Sequence, residues 1–453
     1  MALMSIADAI FLVPERREQP MHVGSLQVYQ LPEDAGPDWV ANLYASWLEC
    51  TDVRTLFRRR PVRSLRTLGA WAWAVDDDID LEHHVRLSAL PRPGRVRELL
   101  ALVSRLHGTP IDRQRPLWEL HLIDGLEGDR FAVYTKVHHA LLDGVTGVRL
   151  LADALAGKPT EDVPPFWANR PGRNRSTNAA SVSVPGAVLQ AGIDLAELGP
   201  ALARRLLEAA LGADQHAVPP RTILNVAITG SRRYAAQGWP LDQVRAVARA
   251  GGGTVNDVVL AMCAAAVRRY LSDLDALPDA SLVAMTPVSL RLRRREGADE
   301  GGNAVGAILC NLATDLADPA QRLEVIHSSM ATGKASLAGL TPLQITALSA
   351  VQMAPLASSI FRPLVGLIPP PFNLIISNVP GPRHARYLNG ARLAGLYPLS
   401  VPIDGQALNV TVISYDGSLE FGLTGDRRAL PHLQRLLGHL DAGLKELALA
   451  VGA

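Results

Sequence analysis

The chain has 453 residues, of which 48% are hydrophobic and 20% charged, a composition typical of a folded protein with two large domains or three small ones. Its 45 basic and 44 acidic residues leave a formal net charge of +1, so no charge excess favours binding to nucleic acid or strong attraction to an anionic membrane. Three distant cysteines (Cys50, Cys263, Cys310) lack the spacing of a zinc site and indicate a reducing cytoplasm. No secretory signal and no proline-free, uncharged apolar run of about 18 residues is found, so we expect no spanning helix.

Two short runs rich in aromatic and branched residues predict a β-hairpin in the first half. They are Trp118 to Asp124 and Arg130 to Val137, separated by "GLEGD". After Gly144 apolar residues recur at helical spacing, and Gly157 is a plausible end of that helix. The order is therefore strand, strand, helix, with "HHALLDG" between the second strand and the helix.

The composition then changes to that of a linker. The stretch from Gly157 to Gly186 is rich in proline, serine and asparagine and has no apolar period, and a helical pattern runs from Ala187 to Leu211. We therefore divide the chain into an N-terminal domain (1–165), a linker and crossover helix (166–215) and a C-terminal domain (216–453).

The C-terminal half predicts a buried helix and several strands. The helix follows the triple glycine at Gly251 to Gly253 and contains "NDVVLA". The predicted strands are Thr222 to Gly230, Leu282 to Arg291, Phe372 to Pro382, and those within Ala407 to Leu423.

One stretch of this half is nearly free of charge: between Lys334 and Arg383 the only charged side chain is Arg362. Its recurrent prolines argue against a spanning helix. We favour core helices and a core strand here. The alternative is that part of it lines an acyl-binding tunnel or lies against a lipid surface, because such surfaces need apolar area without charge.

The paired histidines of "HHALLDG" are the strongest candidates for chemistry. Adjacent side chains on a strand point to opposite faces, so His138 and His139 cannot both enter one cavity. One is a candidate general base, since histidine titrates near neutrality, and the other is a packing residue. Asp143 could cap the following helix, pair with an arginine or orient the ring, and Gly144 allows a close backbone approach.

Other chemistries find little support in the sequence. There is no G-x-S-x-G elbow, which disfavours a hydrolase that uses an acyl-serine. There is no Walker A loop and no G-x-G-x-x-G after a strand, which argues against nucleotide hydrolysis and dinucleotide redox chemistry. There is no H-E-x-x-H, so we predict no metal site. A second pair, His83 and His84, lacks the Asp-Gly, which shows that a histidine pair alone means little. What remains is a base without an obvious protein nucleophile, which fits direct attack by a deprotonated substrate.

"HHALLDG" (His138 to Gly144) resembles the catalytic motif of the CoA-dependent acyltransferase superfamily that includes chloramphenicol acetyltransferase and peptide-synthetase condensation domains. Five further motifs make nearly the whole chain similar to one branch, the bacterial wax ester synthase/acyl-CoA:diacylglycerol acyltransferase family. They are "PMHVG" at Pro20 to Gly24, "PLWE" at Pro116 to Glu119, "NDVVLA" at Asn256 to Ala261, "PVSLR" at Pro287 to Arg291 and "SNVPGP" at Ser377 to Pro382.

The resemblance implies an α/β fold of two chloramphenicol acetyltransferase-like domains. Each would be a mixed β-sheet flanked by helices, with the active-site tunnel at their interface. By matching position His139 would be the base, taking a proton from diacylglycerol or a long-chain fatty alcohol. The resulting oxygen attacks the thioester of an acyl-CoA, and CoA leaves as a thiolate without an acyl-enzyme. Acyl-CoA is then a co-substrate, and no cofactor is expected.

The resemblance also suggests roles for residues outside the histidine pair. Asn256, with Asp257 beside it, would supply oxyanion donors and position substrate, although a helix cap is the simpler alternative. Asn378 and Gly381 would shape the tunnel, and a tight turn explains them almost as well. Trp118 is a further candidate for substrate contact, for which packing at the domain junction is the favoured role.

His138, Asp143 and Gly144 are expected to complete the catalytic motif around the base. We assign Asp143 mainly to structure, paired with Arg291 across the domain interface. This pairing would hold the turn between the strand and the helix in place.

Both substrates are lipids, so the resemblance implies a cytoplasmic protein peripherally associated with the inner membrane or lipid droplets, with no nucleic acid partner. Two alternatives remain. One is a condensation-type acyltransferase that uses carrier-bound acyl groups, although the chain has no carrier segment with a glycine-flanked serine. The other is a non-catalytic lipid-binding protein that retains the fold.

Overall fold

The computed structural model describes residues 2–64, 67, 69–142, 144–169, 218–289, 305–338, 365 and 369–453. The strands are β1 (Ala2–Leu3), β2 (His22–Gln30), β3 (Arg59–Val62), β4 (Ala72–Val75), β5 (Val85–Ala89), β6 (Trp118–Leu126), β7 (Arg130–His138), β8 (Arg232–Pro240), β9 (Val283–Ser289), β10 (Val305–Asn311), β11 (Leu374–Val379), β12 (Tyr387–Leu388), β13 (Ala391–Leu399), β14 (Leu408–Tyr415) and β15 (Ser418–Asp426). The helices are α1 (Ile6–Ala9), α2 (Trp39–Leu48), α3 (Leu81–His84), α4 (Val96–Gly108), α5 (Gly144–Asp153), α6 (Leu241–Ala250), α7 (Val255–Ser272), α8 (Pro319–Leu337) and α9 (Arg435–Val451).

Two six-stranded mixed sheets form the framework. The first has the order β12-β13-β2-β7-β6-β5, in which β5 and β6 are parallel and the other pairs antiparallel. The second has the order β10-β9-β11-β14-β15-β8, in which β11 is parallel to both of its neighbours. A small sheet, β1-β4-β3, lies apart from them. The predicted class, two mixed α/β sheets with helices, is confirmed.

The second half of the chain supplies two strands to the first sheet. β12 and β13, which come late in the sequence, complete the first sheet, with β13 pairing antiparallel to β2 from Arg392↔Gln30 to Leu399↔Gly24. The predicted linker also begins with buried residues, because Phe166 and Trp167 pack into the N-terminal core. The crossover helix predicted at Ala187 to Leu211 lies outside the described residues, so the domain boundaries stay a prediction.

The predicted N-terminal hairpin and the helix after it are confirmed. β6 and β7 pair antiparallel from Trp118↔Val137 to Leu126↔Arg130. Their turn places Gly128 and Asp129 at φ of 77° and 52°, a left-handed conformation that glycine and aspartate adopt at low cost. Helix α5 then starts at Gly144, as the apolar spacing predicted.

In the C-terminal half most predicted elements are confirmed, including α7, β9, β11 and the β14–β15 hairpin. The strand predicted at Thr222 to Gly230 is wrong. There the Asn225 side chain accepts from the Thr222 amide and donates to the Gly405 carbonyl, so local side-chain bonds replace a strand ladder. The strand β8 follows instead. Most of the low-charge stretch lies outside the described residues, and its last part forms the core strand β11.

The N-terminal sheet is covered on both faces. One face, with Val133 and Val137 of β7, packs in a cluster with Leu12 and Trp118. The other face, which carries Tyr134, packs against α4 and β8. β7 is therefore buried from both sides, and the surroundings of its side chains alternate along the strand.

The C-terminal core is formed by α6, α7 and α9 with the second sheet. No single helix within the described ranges is long and apolar enough to cross a membrane. The bent pair α6 and α7 passes that test together, by length and composition only, with 97° between the two helices.

The segment between α1 and β2 joins the two halves. The Gln19 side chain accepts from the Asp404 amide at 2.8 Å, and Arg16 forms an ion pair with the Asp404 carboxylate. The Arg232 guanidinium donates to the Glu18 carbonyl at 2.9 Å. The same short segment then runs along the end of β7, where the histidine motif lies.

Candidate active site

The histidine motif lies at the end of β7, where the pairing with β2 stops. His138 is opposite His22 in the ladder, and the pairing continues one step as the His139 amide donates to the Met21 carbonyl at 2.8 Å. The chain then turns, because the Leu141 amide donates to the His138 carbonyl at 2.9 Å. Strand alternation therefore extends as far as His139.

His138 is held on both sides of its ring. It has no exposed surface, and its Nδ1 accepts from the Ala140 amide at 3.0 Å. Because an amide can only donate, the ring proton of neutral His138 lies on Nε2, which is 3.3 Å from Oε1 of Glu15. With Nδ1 bonded to the backbone, Nε2 next to a buried carboxylate and no access to solvent, His138 is a structural member of the motif.

His139 points to the other side and is half-buried. Its ring stacks on Phe11, with 3.9 Å between ring centroids and 19° between planes, a contact that orients the imidazole. The prediction that the two histidines enter different surroundings is confirmed. A ring with a fixed plane and partial access is what a general base requires.

Glu15, which sequence reasoning missed, links the two histidines. Its side chain is 4% exposed, contacts His138, accepts from the Met21 amide at 3.0 Å and forms an ion pair with Arg113. Burial alone would raise the pKa of this carboxyl, but the contacts with His138, Met21 and Arg113 outweigh it and lower the pKa. Glu15 is therefore a buried carboxylate at neutral pH. The available signal was its position just before the "PMHVG" motif.

The remaining motif residues are described only in part. Gly144 is the first residue of α5 and marks the start of the helix. Asp143 and Arg291 both lie outside the described residues, so their pairing stays a prediction.

The face of β7 that carries His138 holds a second buried carboxylate, Glu119 of "PLWE". Its Oε2 lies 2.9 Å from the Lys136 ammonium and 3.4 Å from His121. Lys136 also donates to the carbonyls of Leu106 and Thr109 at the end of α4, at 3.3 and 3.0 Å. Burial alone would raise the pKa of Glu119, but the contacts with His121 and Lys136 outweigh burial and lower the pKa to about 2. This network fixes α4 to the β6–β7 hairpin.

Trp118 was expected at the domain junction and lies instead inside the N-terminal core. It has no exposed surface, and its indole donates to the Phe57 carbonyl at 2.8 Å. Its ring stacks on His84 and Trp167. Because Trp118 and Glu119 are consecutive residues of β6, alternation sends Trp118 into the apolar core and Glu119 to the polar face. Trp118 is thus a packing residue, and burial lowers the pKa of its neighbour His84 to about 4.

At the start of α7 the helix cap is Thr254 and not Asn256. Thr254 and Asp257 form a reciprocal capping box, and the second Asp257 contact is to Nδ1 of His327 at 2.9 Å. Asp257, predicted to bind substrate, is therefore a buried capping residue. Asn256 is half-buried in the first turn, where its Oδ1 accepts from Asn378 at 3.4 Å, so two predicted site residues do meet.

Gly381 follows β11 at a close approach to β14. A Cβ at Gly381 would lie 2.3 Å from the Ser414 carbonyl oxygen, so no larger residue fits without a backbone shift. Its amide donates to the Ser414 hydroxyl at 3.1 Å. Within the described residues no hydrogen bond joins the Asn256–Asn378 pair to the histidine motif on the first sheet.

Comparisons with known proteins agree along the whole chain. The wax ester synthase/diacylglycerol acyltransferase catalytic domain family matches residues 4–259, and the C-terminal domain of that family matches residues 301–448. A putative diacylglycerol O-acyltransferase of Mycobacterium tuberculosis is 49% identical over 99% of this chain and 100% of its own length. A probable diacylglycerol O-acyltransferase of the same organism is 48% identical over all of both chains.

Solved structures extend the comparison to the fold. The wax ester synthase/diacylglycerol acyltransferase from Marinobacter aquaeolei has a TM-score of 0.81 and 42% identity, covering 100% of both chains. The first condensation domain of the CDA synthetase has a TM-score of 0.60 over 99% of this chain and 95% of its own, at 16% identity. The second likeness concerns the fold alone.

Proposed function

This chain belongs to the wax ester synthase/diacylglycerol acyltransferase family, and on that premise we propose that it transfers a long-chain acyl group from acyl-CoA to the hydroxyl of diacylglycerol or a fatty alcohol. The observation that carries the proposal is the unequal state of the two histidines. His138 is enclosed, with its Nδ1 bonded to the Ala140 amide and its Nε2 3.3 Å from the Glu15 carboxylate, whereas His139 is half-buried with its ring oriented by Phe11. One oriented histidine at the end of a strand is suited to act as a general base.

In the proposed reaction His139 takes the proton of the acceptor hydroxyl. The acceptor oxygen attacks the carbonyl carbon of the acyl thioester, the carbon–sulfur bond breaks, and CoA leaves as a thiolate that recovers the proton from the imidazolium. A thiol with a pKa near about 8.5 is a good leaving group, so no protein nucleophile is needed. A positioned general base contributes about 10² to 10⁴ in rate.

Glu15 acts in this scheme as a positioning residue. Its carboxylate accepts from the Met21 amide, and the Met21 carbonyl accepts from the His139 amide. The same carboxylate contacts Nε2 of His138. Glu15 thus fixes the backbone on both sides of the base without reaching the reacting atoms.

The amide of Asn256 is the proposed donor to the oxyanion. Its Oδ1 accepts from Asn378, which leaves its NH₂ group to donate to the substrate. Preorganised donors of this kind stabilise the charge that develops on the thioester oxygen. We assign Asn378 to orienting Asn256.

We also propose that the protein works in the cytoplasm, peripherally associated with the inner membrane or lipid droplets. The acceptor and the product are lipids, which reside in a membrane or droplet and not in bulk water. The charge balance of +1 offers no general electrostatic attraction, so a local surface must provide the contact.

A thiol-release assay tests the proposal. Purified protein with palmitoyl-CoA should liberate CoA when diolein or hexadecanol is added, and mass spectrometry should find the matching ester. His139→Ala supplies the background rate. If no CoA is released with either alcohol, the transferase assignment is refuted. Turnover of carrier-bound acyl groups alone would favour the condensation-type alternative, and lipid binding without turnover would favour the non-catalytic one.

A further inference from the structure

The chain between Ile10 and Val13, which contacts the histidine motif through Phe11, also exposes apolar side chains. Phe11 stacks on His139 and Leu12 is 1% exposed, but their neighbours Ile10 and Val13 are each 60% exposed. Large apolar side chains at such exposure lose the benefit of burial unless something covers them. Their position, one or two residues from the ring that orients the proposed base, places this apolar surface beside the active site.

The neighbouring small sheet adds apolar and basic groups to this end of the molecule. Leu3 of β1, 48% exposed, pairs with Ala72 of β4, which pairs in turn with Val62 of β3. Arg63 follows Val62, is exposed and holds its guanidinium over the Trp71 ring at 5.0 Å. In the described part of the chain Arg63 has no carboxylate partner.

These groups have the composition of a surface that rests on lipid. Aliphatic side chains insert among acyl chains, while tryptophan and arginine remain at the headgroup level, where arginine meets anionic phosphates. We call Leu3, Ile10, Val13 and Arg63 the N-terminal face. Only six residues, four of them in α1, separate Leu3 from Ile10, so the apolar members belong to one short length of chain. Arg63 comes from a different segment and is brought towards Leu3 by the small sheet.

We infer that the N-terminal face docks on a phospholipid surface that contains the acceptor. The inference rests on the proposed function, because a diacylglycerol acceptor must leave a lipid phase to reach His139. Docking through Ile10 and Val13 brings that phase to the residues that flank Phe11, so the acceptor moves from lipid to the base along apolar side chains. A protein partner on this face is the competing outcome of the test.

Vesicle flotation tests the inference. The double variant Ile10→Ser/Val13→Ser should bind phosphatidylcholine–phosphatidylglycerol vesicles containing diolein about tenfold or more weakly than wild type. Leu449→Ser is the matched control, because Leu449 is 82% exposed on α9 and should leave binding unchanged. Equal vesicle binding by wild type and the double variant would overturn the inference, as would equal loss in the Leu449 control.

A second variant and a second acceptor distinguish the loss of docking from misfolding of the double variant. Arg63→Glu lies on a different segment and should also weaken vesicle binding, most clearly at low salt. With a short-chain diacylglycerol dissolved in water, the double variant should release CoA at a rate within about twofold of wild type, while its rate with vesicle-borne diolein falls about tenfold. Parallel loss with both acceptors would overturn docking as the cause.

The two proposals fail in different ways. If wild type releases no CoA with any of the acceptors, the proposed function is refuted, whatever the vesicles show. If wild type is active and the double variant still floats with the vesicles, only the docking inference is refuted.

Discussion

The two faces of β7 differ in chemistry near the end of the strand that carries the histidine motif. On one face Lys136 and His138 join buried carboxylates, Glu119 and Glu15, in polar contacts between the sheet and its surroundings. On the other face Val133 and Thr135 border apolar side chains and a small cavity of about 30 Å³. The cavity is lined mainly by aliphatic and aromatic residues, among them Trp47, Leu120, Leu151, Phe166 and Trp167.

The difference shows what each environment does for a histidine. Buried polar contacts on the face with His138 fix the geometry of the motif, which makes His138 part of the framework. His139 follows the other face and is oriented by ring stacking on Phe11. The framework histidine and the proposed base are thus adjacent in sequence but lie on opposite faces of the sheet.

The largest expected effect separates the two histidines. His139→Ala should lower kcat by at least about 100-fold in the thiol-release assay, with an unchanged melting curve, because the proton acceptor is removed. His138→Ala should instead lower the free energy of unfolding by about 1 to 3 kcal/mol, because the buried Glu15 loses a partner. If His138→Ala stayed fully folded and proved the more damaging to kcat, the assignment of faces would be wrong.

The next effect concerns acid stability of the polar face. The pKa of Glu119 is about 2 in the folded protein against an ordinary 4.5, so its contribution is present above about pH 4.5 and is lost as the pH falls towards 2. It amounts to at most about 3 kcal/mol. Urea unfolding across this range should show a flatter pH profile for Glu119→Gln than for wild type. The exposed Glu82→Gln should keep the wild-type profile, and an equal change in both variants would contradict the prediction.

Glu15 connects the two histidines, and its replacement should have a smaller effect than the changes above. Glu15→Gln keeps the side-chain size but removes the charge that holds His138 and Met21, so kcat should fall about tenfold. KM should change less than about twofold, since Glu15 does not reach the substrate. Steady-state kinetics measure the split, with Glu18→Gln on the same segment as control. A rise in KM at unchanged kcat would argue against a positioning role.

The smallest effect belongs to the apolar face. The Thr135 hydroxyl is buried without a hydrogen-bond partner among the described residues. Thr135→Val keeps the shape and removes an unsatisfied group, so the free energy of unfolding should stay the same or rise by up to about 1 kcal/mol. Denaturant unfolding checks this. A fall of more than about 1 kcal/mol in the free energy of unfolding would mean that the Thr135 hydroxyl makes a stabilising polar contact, so that this face of β7 is not apolar.

Local periodicity explains what could be predicted from sequence. The β6–β7 hairpin, α7 and the opposite facing of His138 and His139 all follow from the spacing of residues close together in the chain, because the repeat of a strand or helix acts over a few residues. The motifs added the family, and with it the fold and the histidine most suited to be the base.

Tertiary structure decided which distant residues meet. β13 completes the first sheet by pairing with β2, and Glu15 reaches Arg113 across 98 positions of sequence. An isolated glutamate in a polar segment carries no pattern that names its partner, and its role appears only when burial brings it to His138. Likewise the sequence marked "PLWE" as a motif, but only packing on both faces of the sheet sends Trp118 into the core and Glu119 to Lys136. Hydrophobic burial and charge pairing act between residues that are close in space, and a linear pattern records neither.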